Sequence, residues 1–210
     1  ILMDVAVVGT GYPEIISLLN DFISVDTKLN FIGFLDDNQN NKSRNLYGYE
    51  IVGPLEWVTK RKNLLVVNSI FRSPFLREKI TKKLEAFEAK FLTLIHPTVS
   101  CEFAKVAAGS IIGRNCVLEP GSFVGKQSVI LHNSVISHGS QLGMFNFIGN
   151  NVTIQGDNFI GDYVSIAAGT STSPQIKINN NAVIGLNSIV TQEVCANSTI
   201  ASPPSRILKI

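Results

Sequence analysis

The chain has 210 residues, of which 45% are hydrophobic and 16% are charged, and its formal net charge is +2. This composition is typical of a globular protein with a buried core and excludes a disordered one. The small net charge gives no reason to expect a nucleic-acid partner, since only Lys60, Arg61 and Lys62 form a basic cluster.

Three cysteines, Cys101, Cys116 and Cys195, are scattered along the chain. Their odd number and the lack of a C-x-x-C spacing predict neither a disulfide framework nor a zinc site, so a reducing cytoplasm is the expected location. The apolar opening, residues 1–8, is short and has no basic start, so we interpret it as a buried strand and not as a signal peptide. No apolar run reaches the roughly 18 residues of a membrane helix, and no membrane partner is expected.

Residues 1–95 alternate predicted strands and helices, which favours a small parallel α/β sheet with helices on its faces as a first domain. The predicted strands are 5–8, 31–35, 64–67 and 91–95, and the predicted helices are 14–22 and about 74–90. In the second helix we expect one buried apolar face, formed by Leu76, Ile80, Leu84 and Phe87.

Two turns at the carboxyl edge of this sheet are candidate ligand sites. The segment Gly9-Thr10-Gly11-Tyr12-Pro13 joins a strand to a helix, where backbone N–H groups favour phosphate. Asp36 and Asp37 end the next strand, at the edge where open α/β sheets bind ligands such as a ribose or a uracil-like base. A tight turn and a solvated turn are the plain structural alternatives. Because Glu14 breaks the full G-x-G-x-x-G pattern and no second α/β half follows, a nicotinamide dehydrogenase is not expected.

From Val106 to Val190 the dominant pattern is a six-residue period. Fourteen of the fifteen residues at every sixth position are Ile, Leu or Val, whereas 45% of fifteen is about seven. Glycine follows this aliphatic residue six times, and a small residue such as Ser110 or Ser128 usually stands four places after it. The period predicts a triangular β-coil with three hexads per turn and about five coils, with the aliphatic residues on its axis. Glycine is expected where a Cβ would clash at tight turns.

The second predicted domain spans residues 96–210. His96-Pro97 marks its start, because proline disfavours helix before it, and a tail leaves the coil from Ala201. The weakest hexad contains Pro174, which suggests a small loop turned outward over 172–175. A β-sandwich is a poor alternative, because its period of two does not require a period of six.

Three histidines are candidates for acid–base chemistry. His96 lies at the domain junction and is expected to be structural. His132 and His138 occupy the same place in consecutive hexads, and therefore lie on adjacent faces of the triangle, which disfavours a metal held by both within one chain. A metal shared across a trimer interface, as in the β-helical carbonic anhydrases, is a weaker alternative, because the histidine spacing differs from that family by one residue.

Five stretches of the chain resemble, in order and spacing, the sugar O- and N-acetyltransferases of the sialic-acid and bacillosamine type. They are Val7-Val8-Gly9-Thr10-Gly11, Phe34-Leu35-Asp36-Asp37, Ile95-His96-Pro97-Thr98, Val135-Ile136-Ser137-His138 and Ser202-Pro203-Pro204-Ser205-Arg206. The resemblance covers residues from about 4 to 210. It implies a Rossmann-like domain joined to a left-handed parallel β-helix of hexapeptide repeats, working as a homotrimer.

The resemblance also implies direct acyl transfer from acetyl-CoA without a metal. His138 would be the general base, and the N–H of Gly156 would stabilise the oxyanion. The residues that meet acetyl-CoA in the groove between two β-helices would be Phe147, Gly156, Ala168, Leu186, Pro204 and Arg206, the last as a phosphate partner. The nucleotide sugar would bind Gly9, Gly11, Tyr12, Pro13, Asp36 and Asp37.

The chain departs from this family's pattern at three places. Gly139 stands where the family usually has Asp or Glu after its histidine, and Glu119, about one coil away, could replace that acid. Phe147 stands where a second histidine is common, and Tyr12-Pro13 replaces a richer glycine–histidine turn.

The leading hypothesis is an N-acetyltransferase for a nucleotide-linked amino-deoxy sugar in surface-glycan synthesis. A sialic-acid-type sugar O-acetyltransferase is the nearest alternative. A non-catalytic trimeric sugar-nucleotide-binding protein is a third, motivated by Gly139.

Overall fold

The computed structural model describes residues 2–26, 28–41, 45–71 and 73–202. Its first part is a six-stranded sheet of order β3-β4-β2-β1-β5-β6, in which β3–β4 is antiparallel and the other described pairs are parallel. The strands are β1 (Met3–Val8), β2 (Leu29–Leu35), β3 (Asn45–Leu46), β4 (Tyr49–Gly53), β5 (Leu64–Asn68) and β6 (Lys90–Phe91). The β3–β4 hairpin is an element that the sequence did not predict.

Helices cover both faces of this sheet. Helix α1 (Glu14–Val25) follows β1, and helix α2 (Pro74–Ala86) follows β5. Two short 3-10 helices span Gln39–Asn41 and Leu55–Lys60. Because side chains alternate along a strand, Val5 and Val7 pack with α1 whereas Ala6 and Val8 pack with Leu84 of α2. The predicted alternation of strands and helices is therefore confirmed.

The predicted apolar face of α2 is confirmed in part, since Leu84 is buried and Ile80 and Phe87 pack, partly buried, against the same cluster. The residues it buries include Arg77, Thr81 and Leu84, whereas Leu76 is 46% exposed. The prediction was wrong for Leu76 and missed Arg77, because apolar spacing gives no signal for a buried arginine. The helix also ends at Ala86, earlier than expected.

The second part of the chain is a coil of two-residue strands whose three faces are parallel sheets. The first face contains β7 (Leu94–Ile95), β9 (Ile111–Ile112), β12 (Val129–Ile130), β15 (Phe147–Ile148), β18 (Ser165–Ile166), β21 (Val183–Ile184) and β23 (Thr199–Ile200). The second face contains β10 (Val117–Leu118), β13 (Val135–Ile136), β16 (Thr153–Ile154), β19 (Ser171–Thr172) and β22 (Ile189–Val190). The third face contains β8 (Lys105–Val106), β11 (Phe123–Val124), β14 (Gln141–Leu142), β17 (Phe159–Ile160) and β20 (Lys177–Ile178).

The six-residue period predicted this coil correctly. The aliphatic residues of the period form one buried core along its axis. Small residues line the inside of the corners: the Ser110 hydroxyl donates to the Gly125 carbonyl at 2.9 Å and accepts from the Ser128 N–H at 3.2 Å. A Cβ on Gly125 would lie 2.4 Å from the Gly143 carbonyl oxygen, so glycine allows successive coils to approach. Residues with positive φ lie three positions after the aliphatic residue of their hexad, for example Asn133 and Asp157.

Two predictions about the coil are wrong. Residues 91–95 are not one strand, because β6 pairs with β5 in the first sheet whereas β7 pairs with β9 in the coil. No loop leaves the coil at 172–175 either. Pro174 falls in a corner, where no ladder N–H is needed, and the next N–H, of Gln175, donates to the Gly156 carbonyl at 3.0 Å. Thr172 takes the inward place and is buried.

A buried arginine joins the two parts of the chain. Arg77 is 1% exposed, and its Nε donates to the Gln127 carbonyl at 2.6 Å while Nη2 donates to the Gly109 carbonyl at 3.0 Å. Its Nη1 donates to the carbonyls of Asn68 and Ile70 at the end of β5. Burial lowers the pKa of Arg77 to about 9, so it is still a cation at neutral pH. Four carbonyls from both parts of the chain therefore solvate one charge and fix the junction.

Within the part of the chain that is described, no helix combines the length and the apolar character needed to cross a membrane.

Candidate functional site

His138 lies at the corner between the second and third faces of the coil, where a carboxylate orients its ring. Glu119 Oε2 accepts a hydrogen bond from the backbone N–H of His138 at 2.8 Å and lies 3.4 Å from Nδ1. A carboxylate facing Nδ1 favours the tautomer with its proton on that nitrogen, which leaves the Nε2 lone pair free. The His138 side chain is 67% exposed in the single chain. A carboxylate thus faces the His138 ring although residue 139 is glycine.

Gly139 has no side chain for a geometric reason. Its φ of +68° lies in the left-handed region, and a Cβ there would come within 2.1 Å of Asp157 Oδ1. The Asp157 side chain, one coil above, occupies the space that an acidic side chain at residue 139 would need. The acid is therefore supplied from Glu119, one coil lower on the same corner.

Gly156 lies directly against the imidazole ring of His138. A Cβ built on Gly156 would be 2.6 Å from both Nε2 and Cε1 of His138. Real Cβ contacts are not that short, so any side chain at residue 156 would push the ring out of place. Glycine at this position is consequently a condition for the observed ring orientation.

The backbone N–H of Gly156 has no hydrogen-bond acceptor among the described residues. At some corners the side chain one coil above accepts the corresponding bond, as Asp162 Oδ1 does for Met144 N at 2.8 Å. Asn180 Oδ1 does the same for Asp162 N at 2.9 Å. The residue one coil above Gly156 is Pro174, which carries no acceptor. Gly156 is buried, so its N–H is a donor without a described acceptor next to the His138 ring.

A mostly apolar groove of about 400 Å³ runs along the corner between the first and second faces. It contains three of the residues predicted to meet acetyl-CoA: Phe147, Ala168 and Leu186. Its other lining residues come from the same corner and the first face, except Tyr12, which comes from the first part of the chain. Pro204 and Arg206 lie outside the described residues. The chain is described as far as Ser202, whose hydroxyl donates to the Asn187 carbonyl at 3.1 Å, beside the upper end of the groove.

One chain does not bring His138 to this groove. His138 and Gly156 lie on the corner after the second face, whereas the groove lies on the corner before it. Gly156 is therefore not part of the groove surface, although the resemblance implied it for both roles. The second face between the two corners exposes apolar side chains, with Ile189 79% and Val117 36% exposed.

A second cavity of about 400 Å³ lies at the carboxyl edge of the first sheet. It contains Gly11, Tyr12 and Pro13 of the predicted substrate segment, together with Ile70 and Phe71 from the loop after β5 and three residues from the helix starts, Glu14, Ser73 and Leu76. Gly9 lies behind this surface: its φ is +88°, and a Cβ there would meet the Ile70 side chain at 2.9 Å.

The two predicted aspartates have structural partners and do not line this cavity. Asp36 accepts from the Thr10 hydroxyl at 3.1 Å and from Asn41 Nδ2 at 2.9 Å. Asp37 accepts from the Leu55 N–H at 2.9 Å and forms an ion pair with Lys83 at 2.6 Å. Burial acts to raise the pKa of Asp37, but these hydrogen bonds outweigh it and the pKa is lowered. The geometry favours the structural alternative for both carboxylates.

The other two histidines differ from His138. The Nδ1 of His132 accepts from the Arg114 N–H at 2.9 Å, which places its proton on Nε2, and burial lowers its pKa. His96 Nε2 lies 3.0 Å from Asp21 Oδ2, across the junction with α1, in line with the structural role predicted for it. Within the described ranges, no cluster of three or more His, Cys, Asp or Glu side chains could hold a metal ion.

Comparison with known proteins gives a full-length structural likeness and a short sequence likeness. The acetyltransferase domain of PglB from Neisseria gonorrhoeae FA1090, solved with acetyl coenzyme A, has a TM-score of 0.85 at 19% identity and covers 99% of this chain and 100% of that one. PerB from Caulobacter crescentus, solved with CoA and GDP-perosamine, has a TM-score of 0.80 at 16% identity, covering 94% and 91%. WeeI from Acinetobacter baumannii AYE has a TM-score of 0.66 at 21% identity, covering 98% and 100%.

At these identities the structural neighbours show that the chain shares their fold. In sequence, 48 residues are 48% identical to serine acetyltransferase from Staphylococcus aureus, over 23% of this chain and 22% of that enzyme. The match thus spans about a fifth of the length of that relative. No family model matches the chain.

Proposed function

We propose that this chain is an acetyl-CoA-dependent N-acetyltransferase that acts on a nucleotide-linked amino-deoxy sugar in surface-glycan biosynthesis. The observation that carries the proposal is the corner where Glu119 orients His138 over Gly156. The fold shared with two acetyltransferases, one solved with acetyl coenzyme A and one with CoA and GDP-perosamine, supports the choice of both substrates.

The active unit is a homotrimer of left-handed β-helices. His138 and the groove lie on different corners of one chain, and the exposed apolar second face between them suits an interface between copies. In a trimer whose three-fold axis is parallel to the coil axis, equivalent residues of the three copies lie at the same height along that axis. His138 and Leu131 at the groove are seven residues apart in an 18-residue coil, which is about 2 Å of rise at about 4.8 Å per coil. His138 of a neighbouring copy therefore lies at nearly the same height as the lower end of this groove.

In this unit acetyl-CoA lies in the groove against Phe147, Ala168 and Leu186, with its nucleotide toward Pro204 and Arg206. Its thioester points to the end nearest the first part of the chain. The nucleotide sugar occupies the cavity that contains Gly11, Tyr12 and Pro13, and its amine passes the edge of the Tyr12 ring to reach the thioester. Asp36 and Asp37 act on this site indirectly, by holding the turns beside it.

Nε2 of His138 accepts the proton that the sugar amine loses as its nitrogen attacks the thioester carbon. The C=O electron pair moves onto oxygen, and the Gly156 N–H donates a hydrogen bond to that oxyanion. When the oxyanion collapses, the C–S bond breaks and the sulfur of CoA takes the proton from His138. Glu119 stabilises the transient imidazolium. No metal takes part, and the reaction belongs in the cytoplasm.

The sugar O-acetyltransferase alternative uses the same groups with a hydroxyl as the nucleophile. The non-catalytic alternative was motivated by Gly139, and the Glu119–His138 contact removes that motive.

The test is CoA release from acetyl-CoA with a panel of UDP-, dTDP- and GDP-linked amino sugars and with sialic acid. We expect release with an amino sugar, and its loss in His138→Ala. Activity that survives His138→Ala would contradict the mechanism, and no release with any acceptor would favour the non-catalytic protein. A solution mass measurement tests the trimer.

A further inference from the structure

The acyl groove and the acceptor cavity share one side chain. Tyr12 lines the groove together with Leu131 and Phe147, and it also lines the cavity that contains Gly11 and Pro13. It is the residue of the groove that the first part of the chain contributes. Its ring therefore forms the boundary between the two spaces.

The Tyr12 ring is held in this position by packing. Its centroid lies 4.5 Å from that of Phe71, a residue that is 2% exposed and lies in the loop after β5. Tyr12, Leu131 and Phe147 all belong to the same apolar cluster, which continues from α1 across the junction into the first face of the coil. A ring fixed between two packed elements acts as a rigid wall and not as a mobile lid.

The groove runs parallel to the axis of the coil. It spans four successive rows of the coil, from the corner at Leu131 to the corner at Leu186, so its length is about 14 Å for three steps of about 4.8 Å. The upper end lies near Ser202, where the described chain leaves the coil. Tyr12 lies at the lower end, nearest the first part of the chain.

We propose that Tyr12 is the residue that limits the acyl group to a short chain, because its ring closes the end of the groove where the acyl group lies. The inference rests on the proposed function, since it needs acyl-CoA in this groove with its thioester at the lower end. An acetyl group ends before the ring, whereas a butyryl group carries two more methylenes into it. Removing the ring joins the groove to the acceptor cavity and makes room for them.

The test compares the dissociation constants of acetyl-CoA and butyryl-CoA, measured by calorimetry on the full chain without any acceptor. In the wild type we expect butyryl-CoA to bind at least tenfold more weakly than acetyl-CoA. Tyr12→Ala should reduce this ratio at least tenfold. Tyr12→Phe should keep it, because the ring and not the hydroxyl closes the groove.

Two further variants keep the inference falsifiable. Tyr12→Leu retains apolar packing, so it addresses the question if Tyr12→Ala does not fold, and it should lower the ratio in part. Leu186→Ala, at the other end of the groove, should weaken both ligands equally and leave the ratio unchanged.

A ratio unchanged in both Tyr12→Ala and Tyr12→Leu overturns the role of Tyr12 while acetyl-CoA binding and transfer still support the proposed function. An equal change of this ratio in Leu186→Ala also overturns the role of Tyr12, because the selectivity would then not be local to Tyr12. Binding of neither ligand to the wild type overturns the proposed function and this inference with it.

Discussion

Substitution of Gly156 by alanine should strongly lower the catalytic rate while leaving the protein folded. The new Cβ would lie 2.6 Å from His138 Nε2, whereas ordinary contacts begin near 3.4 Å, so the ring has to move by about 0.8 Å. His138 is 67% exposed and can turn toward solvent, which breaks its contact with Glu119. Misplacing a catalytic group by about 1 Å costs about 100-fold in rate. We therefore expect kcat to fall about 100-fold.

The measurement is CoA release in parallel with the midpoint of urea unfolding. Gly156 has no left-handed φ, so alanine there adds no backbone strain and the midpoint should change little. Gly121→Ala is the matched control on the same corner. Its φ is +77° and its nearest contact is 3.6 Å, so it should lose about 1 kcal/mol of stability and keep its activity. Full activity in Gly156→Ala would refute the reasoning, as would a further loss when it is combined with His138→Ala.

Three further predictions concern the groups around the site. Glu119→Gln should lower kcat about tenfold or more with little change in KM, because the amide cannot stabilise the imidazolium; steady-state kinetics that show an unchanged kcat would contradict this. Arg77→Met should destabilise the fold by about 3 kcal/mol in urea unfolding, because four buried carbonyls lose their donor, and Arg77→Lys should recover only part; a change below about 1 kcal/mol would be inconsistent with the observed contacts. The hydrogen bond from His96 is the main cause that lowers the pKa of Asp21 in the folded protein, and the one from Arg114 is the next. The contribution of ionised Asp21 to the free energy of unfolding is therefore complete above its unfolded pKa of about 4, and it is lost as pH falls through the lower folded pKa. Asp21→Asn should therefore reduce the steepness of acid unfolding below about pH 4, followed by circular dichroism, and an unchanged acid limb would argue against it.

The sequence could predict the coil because its period is a local property. Each inward position of the coil needs an aliphatic residue and each corner needs a small one. The residue type of Ile112 or Ser134 therefore indicates its position in the hexad without information on its contacts in the fold. The same holds for the strands and helices of the first part, whose apolar periods are short. The pattern could not locate β7, since two residues contain no period and only pairing with β9 assigns them to the coil.

The sequence could predict which residues are candidates for the site, but not which residues they contact. His138 and Gly156 could be predicted from the family pattern, and the structure brings them into contact. Asp36 and Asp37 illustrate the limit, because a carboxylate at a strand end looks the same whether it faces a ligand or, as here, Asn41 and Lys83. Arg77 gave no signal, because nothing near it in sequence shows that four carbonyls would surround it.

The sequence by itself thus determined the six-residue coil and the alternating first part, whereas His138 was proposed from the resemblance to a family. Only the tertiary structure showed that Glu119 lies 3.4 Å from Nδ1 of that histidine, that Gly156 packs against its ring, and that Tyr12 lines both the groove and the cavity. The physical reason is distance along the chain. A period is set by neighbours within one hexad, whereas these contacts join residues 18 or more positions apart, and they form only when coils stack and the two parts of the chain meet.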